Sequence, residues 1–586
     1  MMVAGISPTS LRSISQSISG LKCTGSDPPP VTPISGSIAQ VESEPSIGMG
    51  DKSDWRSIYV ASFLSFCCAA QFSLYFSSLW PFLQTIDKSA TERFFGYIVA
   101  VYSLGQILAA PVAGYLSNRF RSIRYLLYLG LALMFVGNAV YLSVQHLPKE
   151  SGKRKFVLLI ARFITGVGSS NISLLKSYAS TASASGDRSR AIAFVTGGVA
   201  LGATMGPAFQ LLFTPIGYPG WHFYVGSVRW RLSMYTAPAY MACIMNAIGA
   251  LSIKLLFREY YAGIIEKKSK SITPDGQRLV VPKYDRVAVL LCHLTRFTQM
   301  FVNTNIETIG TPLAALMFSW THSQVIDFMA TAQAIMSFLA FLTYIAFIAF
   351  RLDKIVNFRL NCMLSLFLLI VFHLLTYSYS FLPGQVKIFN NSDIINQTTP
   401  IGCNTDKFSW CYFVKPISPS LFFICYVLFI GVAFPNINIA LNTLFSKIIG
   451  PRRQGTQQGI LQMSGGCARM VGPVVISSLY TAFGPTMAWN VEIAVILATF
   501  LLWTVFYKRM IPLKLQTRPL TISSTIEPSP IIKSRRCDEH KPFIIITKEE
   551  ESENDSDQRH NQLAKNNITV STMCSIRSGP RLSLVE

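Results

Sequence analysis

Charge is scarce in this chain. Asp, Glu, Lys and Arg together make up 14% of its 586 residues, against about 25% in an ordinary soluble domain. Acids are scarcer than bases, 29 against 51. Other absences narrow the chemistry. No Gly-rich phosphate loop, metal-ligand spacing or Ser/His/Asp arrangement stands out, and the 12 cysteines include no CxxC pair. Nucleotide hydrolysis, metal chemistry and nucleophilic catalysis are therefore not expected. The chain is not read as an enzyme, and no cofactor is called for. No basic stretch leads into an early apolar core, so residues 1–56 are not read as a cleavable signal peptide.

What is present is apolar. Half of the residues are hydrophobic, and they come in blocks such as "IYVASFLSFCCAAQFSLYFSSLWPFL" and "NCMLSLFLLIVFHLLTYSYSF". A helix needs roughly 20 mainly apolar residues to cross a bilayer. Twelve spans are expected, at 57–84, 94–116, 125–143, 156–178, 191–213, 233–257, 286–310, 324–349, 360–381, 419–444, 456–480 and 485–507. The fold class is an all-α polytopic membrane protein with the lipid bilayer as its surroundings. A net charge of +22 suggests nucleic acid at first sight. Without a folded soluble domain to display a basic patch, no nucleic-acid partner is expected.

Much of the positive charge sits in short loops. With a cytosolic N-terminus the inner loops are "SNRFRSIR", "SGDRSR", the 258–285 linker, "RLDKIVNFR" and "SKIIGPRRQG". Their Lys and Arg content puts both termini in the cytosol, with "PKESGKRK" as a discordant outer loop. The long loop 382–418 then faces the lumen. It holds glycosylation sequons at Asn390 and Asn396, and the pair Cys403 and Cys411, for which an oxidising compartment favours a disulfide over two free thiols. The Ser- and Pro-rich residues 1–56 and the polar residues 508–586 read as disordered cytosolic tails. Sequons at Asn554 and Asn567 lie in the latter and are expected to be inert. Glu527, Ile531 and Ile532 resemble an acidic dileucine signal that sorting adaptors read.

The chain repeats itself. A shift of 266 residues sets Gly198 on Ser464, Gly202 on Ala468, Gly206 on Gly472 and Pro207 on Pro473. Each set forms a small-residue stripe that lets helix backbones approach closely. A shift of 265 sets Gly166 on Gly431 and Asn171 on Asn436. The loops after spans two and eight also match, with Asn118 on Asp353, Arg119 on Lys354 and Arg124 on Arg359. Two duplicated halves follow, 57–257 and 286–507.

Parallel six-helix halves describe major facilitator transporters, and several motifs resemble that superfamily. "GYLSNRF" is similar to its loop signature, "ARFITGVG" to that of the fourth helix and "GATMGP" to that of the fifth. A closer resemblance, to lysosomal members, covers most of residues 55–510 through "SLWPFLQTID", "YSLGQILAAPVAG", "IETIGTPL", the "GC...WC" loop, "SKIIGPRRQG" and "ARMVGPVVISSLY". It implies a major facilitator fold, endolysosomal residence and transport across that membrane. Asn118 stands where the first-half loop usually has aspartate, and Arg121 where it has glycine. A gate of charged contacts at Asn118, Arg119, Asp353 and Lys354 is thereby weakened on the N-terminal side.

Charged residues inside a bilayer are costly and normally face the bundle interior. Arg162, Arg296, Glu307 and Arg469 are the expected passenger or ion pathway, with Gln71, Tyr75, Gln106, Asn436 and Asn438 lining it. Glu307 precedes Gly310 and Pro312, which are expected to loosen its helix into a proton or ion site. Pro435 is expected to kink the tenth span. Glu492 reads as a structural ion pair or headgroup contact, and Lys176 as snorkelling to the cytosol. Asp327, His293 and His373 lie near or within spans. The excess of bases at depth favours an anion or small organic solute. A proton-coupled carrier, an anion channel on the same fold and a non-transporting scaffold are the alternatives. The buried charges argue against the scaffold.

Overall fold

The computed structural model describes residues 52–519, except 76–77, 88–91, 148–152, 227, 265–276, 321, 391–401 and 407. The first 51 residues, Asn396, the sorting-signal residues Glu527, Ile531 and Ile532, and Asn554 and Asn567 lie outside the described residues.

The apolar blocks fold as helices. The N-terminal half contains α1 Trp55–Ser73, α2 Leu79–Ile86, α3 Glu92–Phe120, α4 Arg124–Ser143, α5 Arg154–Gly168, α6 Asn171–Ala182, α7 Arg188–Phe213 and α8 Ala237–Leu256. The C-terminal half contains α9 Arg286–Phe318, α10 His322–Ala349, α11 Phe358–Leu375, α12 Pro419–Cys425, α13 Gly431–Ile449, α14 Gly455–Phe483 and α15 Pro485–Val505. Among the described residues nine helices are long and apolar enough to cross a membrane, so the expected count of twelve is not reached by that measure. The first expected span divides into α1 and α2. The seventh and eleventh, α9 and α14, are helical but carry the polar side chains of the site.

Several boundaries differ from expectation. The fourth span is interrupted between α5 and α6 at Ser169–Ser170, and the tenth passes through a π-helical turn at Tyr426–Ile430. Pro435 sits inside α13, so the irregular turn lies upstream of the proline rather than at it. Pro312 likewise lies inside an unbroken α9. The expected loosening after Glu307 does not occur, because the surrounding packing holds the helix through a proline it tolerates poorly alone. The polar tail begins with ordered chain: β6 Gln516–Pro519 pairs antiparallel with β3 Gln277–Val280 of the linker. Short paired strands are missing from the apolar pattern because their backbone bonds, not their side chains, hold them. The hairpin β1 Trp221–Val225 and β2 Val228–Leu232 is another example. In the loop before α12, β4 Ile388–Phe389 pairs in parallel with β5 Cys403–Asn404, and Cys403 is joined to Cys411. Asn390 is exposed beside that strand.

The repeat is visible in the packing. In α7, Gly198, Gly202 and Gly206 lie against α1; a Cβ on Gly202 would strike the Phe66 carbonyl and come within 2.8 Å of the Ala70 nitrogen. In α14, Gly472 lies against Phe301 and Asn305 of α9, and Ala468 is fully buried. Pro473 continues the second stripe inside α14, and residue 207 lies within the helix α7. Among the described residues apolar packing splits the same way, with one large cluster dominated by C-terminal helices and four clusters within the N-terminal half.

Candidate functional site

The halves meet where α3 crosses α14. Gly114 faces Gly455, Gly459 faces Ala110, and Gly466 faces Ile107, so backbone nearly touches backbone. At one end of this crossing Asn118 Nδ2 donates to Thr456 Oγ1 at 2.8 Å, and the Gly455 N–H donates to Asn118 Oδ1 at 3.1 Å. In the matching loop Ser189 Oγ donates to Asp353 Oδ2 at 3.0 Å. Ser180 Oγ adds a bond to Gln454 Oε1 at 3.1 Å. Arg119 and Lys354 are exposed. Arg121 takes the left-handed backbone (φ 56°) that the glycine of the superfamily signature accommodates more readily.

Deeper along α3 the polar network begins. Gln106 donates to Ser169 Oγ at 3.1 Å, and its Oε1 accepts from Gln462 Nε2 at 3.4 Å and from Arg469 Nη2. Arg469 Nη1 rests 3.5 Å from Met300 Sδ. Arg296 is 5% exposed and donates through Nη1 to Gln299 Oε1 at 2.8 Å and to Asn438 Oδ1 at 3.1 Å. Asn438 in turn donates to the Tyr344 hydroxyl at 3.0 Å and accepts from Asn442 at 2.9 Å. The acceptors on these guanidinium groups are neutral. Glu307 is solvent-accessible, accepts from Asn303 Nδ2 at 2.8 Å and lies within electrostatic reach of Arg469.

Lys176 requires a correction. It does not snorkel; it is 5% exposed and within electrostatic reach of Arg296 and Arg469. Every residue of α6, Asn171–Ala182, is buried, so this segment is packed on all sides and Lys176 has no open side along which to reach water. Sequence reasoning also missed Gln299, whose position three residues after Arg296 marks the same helix face.

Other expected residues lie in two further groups. In the N-terminal half Arg162 is clamped between the rings of Tyr75 and Tyr102, 5.0 and 4.7 Å from their centroids. Such stacking stabilises a guanidinium without a counter-ion. Tyr75 donates to Asn138 at 2.6 Å, Asn138 to Gln71 at 3.2 Å, and Gln71 exchanges two bonds with Asn246. In the C-terminal half Asn436 accepts from Asn361 of α11 at 3.4 Å rather than joining Arg296. Its neighbour Asn438 takes that role, since two residues along a helix point to different faces. His293 packs edge-on to Phe445, and Asp327 is exposed. His373 and Glu492, both fully buried, pair at 2.5 Å.

Two helical halves around a polar, cation-rich centre, joined at one end by matching hydrogen bonds, define a membrane transporter fold. The pattern of the Major Facilitator Superfamily matches residues 61–387 and 408–547. The chain belongs to that superfamily, whose members are transporters rather than enzymes. It is 31% identical over 486 residues to major facilitator superfamily domain-containing protein 8 of Xenopus laevis, covering 79% of this chain and 92% of the relative. Its fold is similar to the human organic anion transporter MFSD10 (TETRAN), with a TM-score of 0.52 and 17% identity over 77% of this chain and 99% of that one. The proton:xylose symporter XylE shares the fold with a TM-score of 0.55 and 13% identity over 78% and 96%.

Proposed function

We propose that this protein moves a small organic anion across the endolysosomal membrane by alternating access, with protons as the coupling ion. The observation that carries the reading is the centre itself. Arg296 and Arg469 are held by uncharged amides and a thioether, and Lys176 of the other half is buried within electrostatic reach of them. Buried cations without matched counter-charges are unfavourable, and a bound anion relieves that cost. The guanidinium forks suit carboxylate or phosphate oxygens. The relatedness to an organic anion transporter in fold is consistent with this passenger, and the lysosomal resemblance of the motifs supports the location.

The matching contacts of Asn118 and Asp353 favour a carrier over a channel. They close one end of the passage and must part for release, which an open pore does not require. Glu307, accessible and near Arg469, is the proposed proton site. The Lys- and Arg-rich loops support a cytosolic position for both termini, from which the C-terminal tail is offered to sorting adaptors.

Uptake of labelled organic anions into proteoliposomes of the full chain tests the proposal. Saturable uptake without unitary currents is expected, and R296Q or R469Q should lower it at least tenfold, since hydrogen bonds to charged groups contribute about 1.5–3 kcal/mol. Unitary anion currents from the wild-type protein would overturn the carrier reading. E307Q should abolish stimulation by a proton gradient while leaving counterflow measurable.

A further inference from the structure

Resting on the alternating-access reading above, we infer that the linker between the halves is part of the gate, through Tyr261, whose ring receives Arg453 of the opposite half. Tyr261 and Arg453 are positioning residues: they hold the two halves together at the end of the basic loops.

The linker leaves α8 bound to the N-terminal half. Ser57 of α1 donates through Oγ to the Arg258 carbonyl and accepts from the Arg258 N–H, each at 2.9 Å. Tyr178 of α6 donates to the same carbonyl at 2.9 Å, and the Gly263 N–H donates to the Thr181 carbonyl at 2.9 Å. Glu259 caps α4. Its carboxylate accepts from Ser122 Oγ and the Ile123 N–H, both at 2.6 Å, and from the Arg124 N–H at 3.4 Å. Tyr261 lies between these anchors and donates its hydroxyl to Glu259. Its ring is thereby fixed as a surface of the N-terminal half.

Two consecutive arginines in the loop between α13 and α14 have different partners. Arg452 stays within its own half: Nη2 donates to the Pro282 carbonyl at 2.5 Å, and the guanidinium lies 5.4 Å from the Tyr284 ring centroid, just before α9. Arg453 crosses, and its guanidinium stands 4.8 Å from the centroid of Tyr261. The quadrupole of the ring attracts a cation over its face, and a carboxylate accepting from the hydroxyl makes that ring more electron-rich. Gln454, the next residue, donates to the Ser446 and Gly450 carbonyls of its own half, each at 3.0 Å, while accepting from Ser180 across the gap. A chain of contacts thus runs from Arg453 through Tyr261 and Glu259 to the start of α4.

The repeat holds no second copy of this contact. Under the 266-residue shift Arg453 falls on Asp187, which accepts from Ser53 Oγ at 2.9 Å, in the segment entering α1 of its own half. The linker occurs once, so the contact it makes is one-sided. For the halves to part at this end, Arg453 must leave the Tyr261 ring.

The rate at which a membrane-impermeant maleimide labels Q457C in the full chain, from the face of the basic loops and above the unsubstituted protein, reads the join. R453Q and Y261L are each expected to speed labelling roughly 2- to 30-fold, the range a cation–π contact spans from exposed to desolvated sites. The double variant should match the larger single effect within twofold, because one contact is lost only once. Y261F, which keeps the ring, should label more slowly than Y261L. R452Q, whose contacts stay in one half, should leave labelling unchanged. Unchanged labelling in R453Q overturns the inference. So do additive effects in the double variant, Y261F labelling as fast as Y261L, or R452Q matching R453Q. R453Q alters one half-buried loop side chain, so the test stands even if Y261L fails to fold. T308C, labelled from the opposite face beside Glu307, keeps the two readings apart. A rise at residue 457 with a matching fall at residue 308 supports both, whereas a rise without that fall keeps the contact and overturns alternating access.

Discussion

Asn118 joins the two halves through both ends of its amide, accepting from the Gly455 N–H at 3.1 Å and donating to Thr456 Oγ1 at 2.8 Å. The partner in the matching contact, Ser189, maps onto residue 455 under the 266-residue shift, while Asn118 maps onto Asp353 under the 235-residue shift of the loops. One contact is thus made twice by a duplicated chain, once with a neutral amide and once with a carboxylate.

Removing the amide should loosen the closed state. Each neutral bond contributes about 0.5–1.5 kcal/mol, so N118A should shift the closed-to-open ratio by roughly 5- to 150-fold. Thiol-reagent access to a cysteine placed at residue 457, from the face of the basic loops, reports the shift. N118D should act oppositely, because a carboxylate at the N-terminus of α14 is favoured by the helix dipole. Unchanged labelling in both variants counts against the latch.

His373 and Glu492 predict a non-additive pair. His373 Nδ1 lies 2.7 Å from the Leu369 carbonyl, so that nitrogen carries a proton, and Nε2 meets Glu492 Oε2 at 2.5 Å. One proton therefore lies between ring and carboxyl whichever of them it belongs to. Removing one partner leaves a buried polar group stranded and should cost about 3–5 kcal/mol. H373L and E492M should each lower the melting temperature strongly, and the double variant should recover most of the loss. Additive losses would contradict the pairing.

Asp285 should confer acid sensitivity. Its carboxylate accepts from Arg509 Nε at 2.7 Å and Nη2 at 3.0 Å, and caps α9 through the Val287 and Ala288 amides. The Arg509 bond, and then those amides, hold its carboxyl below the ordinary value. A depressed folded value means that the stabilisation is present above the unfolded value, near 3.9, and is lost as pH falls through the folded one. D285A should reduce stability by about 1 kcal/mol at neutral pH, as expected for a lost cap, and the difference from wild type should shrink in acid. Melting curves of both proteins across pH measure this.

The glycine stripe of α7 should resist enlargement. The atoms facing Gly202 are backbone, the Phe66 carbonyl and the Ala70 nitrogen, which cannot rotate away. G202A should cost about 1–3 kcal/mol through overpacking, seen as a lower yield of monodisperse protein in detergent. G186A, at a glycine with open space around it, should leave yield unchanged.

Some of this was legible in order along the chain. Apolar blocks, small-residue stripes and the 266-residue repeat required helices in two related halves, because a bilayer leaves backbone groups few other ways to bond. Arg296, Glu307 and Arg469 stood out because charge at depth is costly, and Asn118 because its loop has a counterpart. What the order could not convey was direction. Lys176 is buried because neighbours surround α6 on every side, and α9 stays helical through Pro312. Asn436 and Asn438 part company because helix faces diverge within two residues. His373 and Glu492 are 119 residues apart, and no local periodicity connects them. Local composition decides which segments become helices; the crossing angles and rotations set by packing decide which of their polar residues meet.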